Sequence, residues 1–334
     1  MPLDGKERLL RIGMLACGGP SSITHAPIWG PIINALDGRV MMTGMLVTHV
    51  WDIRKDDAEA FGKRIGAEVV ESFDQMIGKV DAILIPDFDA VPVYKYLVRP
   101  YIEAGIPCFI NRPFALCLKD AREMIELAKK HGVPLMCGSS FEYVKEVGIV
   151  RSRVKSIEPI TGYLVDNSMS DYATHGIHGL YFAYACIGGG VERVSYLTPD
   201  WKNPNGVVIL EHRPRGEDGK TFYGCIQEVA GAGTNAWIKV YGRGFIEQAC
   251  WWEGSSKDRD IFLWLPMLLE MEKMFRTGKM PEPYESLYEK TQIFLAGFKS
   301  HLEKGGAPVA LSEIGDWRAP LPGPPRYPED FHKA

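Results

Sequence analysis

Through the first 140 residues, short apolar runs alternate with stretches of helical periodicity. Leu9 to Leu15 reads as a first strand, Val40 to Val50 as a second, residues 81–86 as a third, Cys108 to Ile110 as a fourth and Pro134 to Cys137 as a fifth. Between them, Leu118, Ala121, Met124, Ile125 and Ala128 recur at helical spacing and stop at Gly132, with Pro134 beyond as a breaker. Ala58, Phe61 and Ile65 repeat the pattern ahead of Gly66. Val93 to Ala104 predicts a further helix, with Pro92 suited to its first turn and Pro100 expected to kink it. Strand–helix alternation of this kind predicts α/β architecture, a doubly wound parallel sheet covered on both faces.

After about residue 150 the pattern changes. Gly206 to His212, Thr221 to Val229, Ala236 to Tyr241 and Phe245 to Cys250 read as strands with turn residues at Pro214-Arg-Gly and Gly231-Ala-Gly. No long helix intervenes, so a mostly antiparallel sheet is expected. Two late helices are predicted, Asp260 to Arg276 and Glu285 to Glu303, and the tail after Gly315 carries five prolines and reads as extended. The division expected is a Rossmann-type domain over 1–140 and an α+β domain over 141–334 that ends in the Pro-rich tail.

Composition removes some function classes. At 334 residues, 46% hydrophobic and 24% charged, the chain has room for two cores. A net charge of −4 gives no electrostatic reason to expect nucleic acid or an anionic membrane as partner. No apolar run is long enough to span a bilayer, and the charged N-terminus lacks the apolar core of a signal peptide. The seven cysteines are scattered with no Cys-x-x-Cys pair, which predicts free thiols in a reducing, cytoplasmic setting and no structural zinc.

The first strand runs into Ala16-Cys-Gly-Gly-Pro-Ser-Ser22, a degenerate G-x-G-x-x-G. Gly18 or Gly19 would let backbone approach a pyrophosphate, and Ser21 or Ser22 would donate to it. Pro27, Gly30 and Pro31 weaken the helix that follows. A tight turn without ligand is the bland alternative. Asp52 closes the second strand, where a carboxylate accepts bonds from ribose hydroxyls or, equally, caps the helix near Lys55. A carboxylate there repels a 2′-phosphate, which favours NAD over NADP, with neighbouring Arg54 acting the other way.

The most informative stretch is Pro107-Cys-Phe-Ile-Asn-Arg-Pro113. Pro113 ends the strand and holds the Arg112 guanidinium near its carboxyl end, where open α/β sheets bind ligands. Three segments together resemble the glucose–fructose oxidoreductase/inositol dehydrogenase/MocA family over nearly the whole chain. They are the Gly-rich turn with His25 and Asp52, the block from Glu103 to Leu116, and Gly176-Ile-His178 opening a helix. The resemblance implies NAD held along Gly18, Gly19, Ser21, Ser22, Asp52, Pro86, Asp87, Asn111, Arg112 and Pro113. It also implies a carbohydrate-like substrate and a homodimer or homotetramer.

The departures bear on chemistry. Arg112 stands at the family's Lys, Asn111 at its Glu, Thr174 and Tyr181 at its two Asp positions, and only His178 is kept. A guanidinium stays charged and is no base, but it orients an oxygen, clamps a carboxylate or stabilises an oxyanion. Its bland alternative is an ion pair at the cleft rim. His178 is the expected general acid/base, with an unperturbed pKa of about 6.5. His175, three residues earlier, is read as a relay, a substrate contact or a local cap, and a metal site with Asp171 is the weakest reading, so no metal is expected. Tyr143, Asp171, Tyr172 and Thr174 are expected near substrate. Asp87, at the nicotinamide side, is expected to disfavour an anionic neighbour. One ring of Trp251-Trp252 is open to sugar stacking, against a core or interface role for both. The leading expectation is an NAD-dependent oxidoreductase acting on a hydroxyl of a sugar or polyol. An NAD-retaining lyase, epimerase or glycosidase and a non-enzymatic sensor of the same fold stay open.

Overall fold

Six strands lie side by side in the first half: β1 (Leu10–Leu15), β2 (Met45–Trp51), β3 (Glu68–Val69), β4 (Ala82–Ile85), β5 (Cys108–Asn111) and β6 (Leu135–Gly138). All pair in parallel, in the order β3-β2-β1-β4-β5-β6, so the strand order reverses between β1 and β4. The computed structural model describes residues 8–167, 171–215, 219–229, 235–252, 259–321, 323, 325–328 and 331. The expected turns at Gly216 and Gly231 and the side chains of Trp251 and Trp252 lie outside the described residues.

Every residue of β4, β5 and β6 is buried, as a parallel sheet covered on both faces demands. The helices are α1 (Ala26–Ile33), α2 (Lys55–Ile65), α3 (Tyr94–Glu103) and α4 (Leu118–His131). Gly66 and Gly132 end α2 and α4 in the left-handed conformation, the stop that their sequence position predicts. Two expectations are corrected. The second strand begins at Met45 rather than Val40, because Gly44 bonds outward to Glu272 and Val40 and Met41 are exposed. Pro92 sits in a 3₁₀ turn spanning Phe88–Val93, so α3 starts after it.

The second half opens with α5 (Lys145–Val154), then β7 (Ile160–Asn167), α6 (Ile177–Ile187), β8 (Val191–Leu197), β9 (Asn205–His212), β10 (Phe222–Val229), β11 (Asn235–Gly242) and β12 (Phe245–Trp252). Two long helices, α7 (Arg259–Thr277) and α8 (Tyr284–Lys304), and the short β13 (Val309–Ala310) complete it. The sheet order is β12-β11-β7-β10-β9-β8-β13, antiparallel throughout except between β7 and β10. That parallel pair arises because α6, β8 and β9 intervene before the chain returns beside β7. By register, Leu164, Leu197, Tyr223 and Ile246 share one face, and all four are exposed.

α7 packs on α1, while α8 lies against both α4 and β8, tying the halves together. No helix among the described residues is long and apolar enough to cross a membrane.

Candidate functional site at the strand tips

β5 delivers Asn111 and Arg112 to the carboxyl edge of the first sheet. Asn111 Nδ2 donates to the Pro86 carbonyl at the end of β4 (2.8 Å), and its Oδ1 accepts from Arg112 N (3.0 Å). Pro113 follows across a cis peptide bond. The Arg112 side chain is 1% exposed. Its Nη2 donates to the Thr174 carbonyl (2.6 Å) and meets His178 Nε2 at 2.9 Å. Nε and Nη1 have no hydrogen-bond partner, and no carboxylate of the described residues pairs with the guanidinium. Burial lowers its pKa to about 10, which leaves it charged at neutrality. A rim ion pair is therefore not what the structure contains: Arg112 is an interior cation with unused donors.

His178 comes from the first turn of α6. Before it, residues Tyr172–Gly176 form a single π-helical turn, with Gly176 N bonded to Asp171 O (2.8 Å). This wider turn puts the Thr174 carbonyl and the His178 ring on the same guanidinium nitrogen. Since Arg112 can only donate, His178 Nε2 accepts, and its Nδ1–H points at Ser139 Oγ (2.6 Å). Burial, then the charge of Arg112, pushes the His178 pKa well below 6.5. The expectation of an imidazole titrating near neutrality is thus corrected: His178 is neutral, with both nitrogens engaged.

Ser139 was not anticipated, although a Gly-Ser-Ser run leaving β6 is a signal for a polar strand tip. It forms a capping box with Glu142, whose Oε2 accepts from Ser139 N (2.7 Å). Glu142 Oε1 in turn takes the Lys290 ammonium (2.6 Å), which also binds Glu282 (2.6 Å). One chain of polar contacts therefore runs from Lys290 through Glu142, Ser139 and His178 to Arg112.

Other candidates divide. His175 Nδ1 contacts Thr174 Oγ1 (2.6 Å) and Asp171 Oδ2 (3.4 Å), and its side chain is 39% exposed. Burial opposes ionisation of Asp171, but hydrogen bonds from His175 and Thr174 outweigh it and hold the carboxyl below its usual range. Tyr172 is corrected from substrate contact to core: it stacks on Tyr196 and Phe294, and its hydroxyl donates to the Phe294 carbonyl. Tyr143 lines a cavity of about 630 Å³ beside the far end of α6, with Glu142, Tyr184 and Glu282, away from His178. No cluster of three or more His, Cys, Asp or Glu among the described residues could hold a metal.

At the tips of β1 and β2, the Gly-rich turn is folded on itself. Gly18 (φ +73°) donates to Asp52 Oδ2 (2.7 Å), Gly19 N to Ser22 Oγ (2.6 Å), and Ser22 back to the Gly19 carbonyl (2.8 Å). Ser21 is exposed. The first turn of α1 offers little more, because Ala26 N is taken by Thr24 Oγ1 (3.1 Å) and Pro27 has no N–H. Asp52 does not cap α2. Its Oδ1 accepts from Arg54 N (2.9 Å) and holds Arg326 of the C-terminal segment, which also binds Asp57 (2.6 Å). Asp57, Arg326 and Trp264, which packs on His25 (4.4 Å between ring centres), had no signal in the sequence. A Cβ at Gly19 would overlap the Asp57 carboxyl, and one at Gly18 the Ser22 and Thr24 side chains. As arranged, the cradle is filled by the chain's own groups and does not fit a dinucleotide pyrophosphate.

Asp87 is fully buried, and burial, then the charge of Asp89, raises its pKa to about 8. At neutrality its carboxyl is mostly protonated, which removes the repulsion expected of it. Glu228, buried against Gly176 with one oxygen accepting from Tyr196 (2.7 Å), is raised by burial to about 8 as well. Both folded-state pKa values lie above the unfolded ones, so the native protein holds protons that the unfolded chain has released. Stability is then greatest at low pH for these groups and is lost as pH rises toward 8, each with a slope of at most about 1.4 kcal/mol per pH unit. Urea unfolding from pH 6.5 to 8.5 is expected to show this decline, made shallower by Glu228→Gln; an equal decline in the variant would remove Glu228 from the account.

Comparison with known proteins adds the following. Residues 29–139 match the model of an oxidoreductase family with an NAD-binding Rossmann fold. An uncharacterised oxidoreductase of Streptococcus pneumoniae is 30% identical over 108 residues, 31% of this chain and 28% of that protein. An inositol 2-dehydrogenase of Cereibacter sphaeroides is 34% identical over 88 residues, 26% of each. The matched stretches thus span little more than a quarter of these relatives. In fold the likeness is wider. A probable dehydrogenase from Thermotoga maritima superposes with TM-score 0.73 at 19% identity, covering 91% of this chain and 100% of that one. A scyllo-inositol dehydrogenase from Lactobacillus casei, solved with NAD(H) and scyllo-inositol, gives 0.72 at 14%, over 91% and 100%.

Proposed function

We propose, because this chain belongs to the glucose–fructose oxidoreductase/inositol dehydrogenase/MocA family of oxidoreductases, that it oxidises or reduces a hydroxyl of a sugar, polyol or related compound with a nicotinamide dinucleotide. The observation that carries the reading is Arg112: an interior guanidinium with two unpaired nitrogens, at the tip of β5, beside the imidazoles of His175 and His178. Such a group holds a substrate oxygen that gains negative charge, or a carboxylate on the substrate. The Asp52 carboxylate at the end of β2 supports NAD rather than NADP.

The residues then divide the work. Arg112 binds the oxygen. His178, neutral and held between Ser139 and Arg112, positions the guanidinium rather than exchanging a proton. His175, oriented by Asp171 and partly exposed, is the imidazole placed to pass a proton to solvent. Hydride exchange is what a nicotinamide would supply when bound.

A panel of sugars, polyols and hydroxy acids assayed with NAD and with NADP is expected to give a reduced-dinucleotide absorbance change with at least one member. The change should be lost in His175→Ala. Dinucleotide binding in calorimetry with no absorbance change across the panel would remove the oxidoreductase reading. The filled cradle favours one second reading, a sensor of the same fold, which absence of dinucleotide binding in calorimetry together with a specific sugar or protein ligand would support.

A further inference from the structure

The described residues of the Pro-rich C-terminal segment lie along the surface of the first half. Arg318 Nη2 binds Asp120 Oδ2 (2.6 Å) and Ala319 N donates to the Leu116 carbonyl (2.8 Å), fixing the segment beside the start of α4. Further on, Arg326 enters the crevice at the carboxyl ends of β1, β2 and β4, where the strand order reverses. That is where open α/β sheets take their ligands. Its guanidinium binds Asp52 and Asp57, and its Nε lies 3.8 Å from Asp87 Oδ2. Tyr327 is 3% exposed, and Phe331 packs on Trp51 and Phe73 at the end of β2 (6.1 and 5.6 Å between ring centres).

We propose that this segment is a built-in occupant of the adenosine half of the cleft, and that dinucleotide binds only by displacing it. The inference rests on reading the cleft as a dinucleotide site. Three of the four lone pairs of Asp52 are taken, by Arg326 and Arg54 N on Oδ1 and by Gly18 N on Oδ2, so Arg326 holds an acceptor site that a pair of ribose hydroxyls would need. The aromatic side chains of Tyr327 and Phe331 fill the apolar space beside β2.

The seat also carries unpaired polar groups. Asp87 Oδ2, Arg326 Nε and Tyr327 Oη are buried without a hydrogen-bond partner. Each such group raises the free energy of the closed state, since a buried polar atom left unpaired loses its hydration without replacement. The segment is thus clasped at both Arg318 and Arg326, and the polar groups left unpaired are those around Arg326, so that is the end whose lifting recovers lost hydration.

Calorimetric titration with NAD⁺ of the full chain, of Arg326→Gln and of a chain truncated after Gly315 tests this. Both variants are expected to bind roughly tenfold more tightly than the full chain, the penalty removed if the seat is closed about nine-tenths of the time. In the full chain, NAD⁺ is expected to speed trypsin cleavage after Arg326. Should truncation impair folding, Arg326→Gln keeps the whole chain and decides alone. Binding as tight in the full chain as in Arg326→Gln, or protection of the segment by NAD⁺, would overturn the proposal and leave the proposed function standing. Failure of every form to bind NAD⁺ or NADP⁺ would overturn both.

Discussion

Arg112→Met is expected to lower turnover by about 10²–10³-fold, the loss seen when a donor to a developing oxyanion is removed from an enclosed site. The methionine chain fills similar volume, and no carboxylate is left unpaired, because none of the described residues neutralises Arg112 in the first place. Circular dichroism and the melting temperature should therefore change little, although Thr174 O and His178 Nε2 each lose a donor. Arg112→Lys should not restore activity. One ammonium on a flexible stem cannot serve the Thr174 carbonyl, His178 and a substrate oxygen with the fixed fork of a guanidinium. The measurement is kcat and KM with whichever panel member proves active. Turnover within a few fold of the parent in Arg112→Met would show that the buried cation is a structural relic.

Lys290→Met is expected to destabilise the fold by about 3–5 kcal/mol, the cost of breaking a buried ion pair from one side. The ammonium is fully buried between Glu142 and Glu282 (2.6 Å to each) and lies over the ring of Tyr181 (4.6 Å). Burial works against the charge on Lys290, but the two carboxylates outweigh it and raise its pKa. Without it, Glu142 and Glu282 lose their counter-charge and repel each other. Denaturant unfolding of Lys290→Met alone and combined with Glu282→Gln checks this, since the second change removes one orphaned carboxylate and should recover part of the loss. A cost under about 1 kcal/mol would mean that solvent reaches the site. Because Glu142 also holds Ser139, and Ser139 holds His178, a change in KM or in the pH profile is expected alongside the loss of stability.

The first sheet is legible in the sequence because its strands are buried on both faces and read as apolar runs between helix stop signals. Gly66 and Gly132 fall where the chain must turn left-handed. β3, two residues at an edge, carries no such signal. β7 escapes notice for another reason: Ile160–Asn167 mixes Gly162, Thr161 and Asp166 into an irregular alternation, although the strand lies between β11 and β10.

At the site, Arg112, His178 and Asp52 are legible because each sits at a predictable strand or helix end. What surrounds them is not. The Arg326–Asp52 contact joins residues 274 apart, and Lys290–Glu142 joins residues 148 apart. Local periodicity has no access to such pairings. The shift of His178 away from neutrality follows from the same long-range packing, since it needs both burial and the neighbouring guanidinium.

The position of α8 has a consequence for how anything enters. Tyr284 Oη bridges Val133 O and Leu135 N on the first sheet's side (3.1 and 3.2 Å). Glu289 and Ser300 accept from the backbone of Val191 and Tyr196 in the second sheet (3.0 Å each). A rod bolted to both walls resists a hinged, jaw-like opening. Access would then be gained by moving a few residues of strap aside while the walls stand still, and the rate of entry would follow the lifetime of a single arginine clasp.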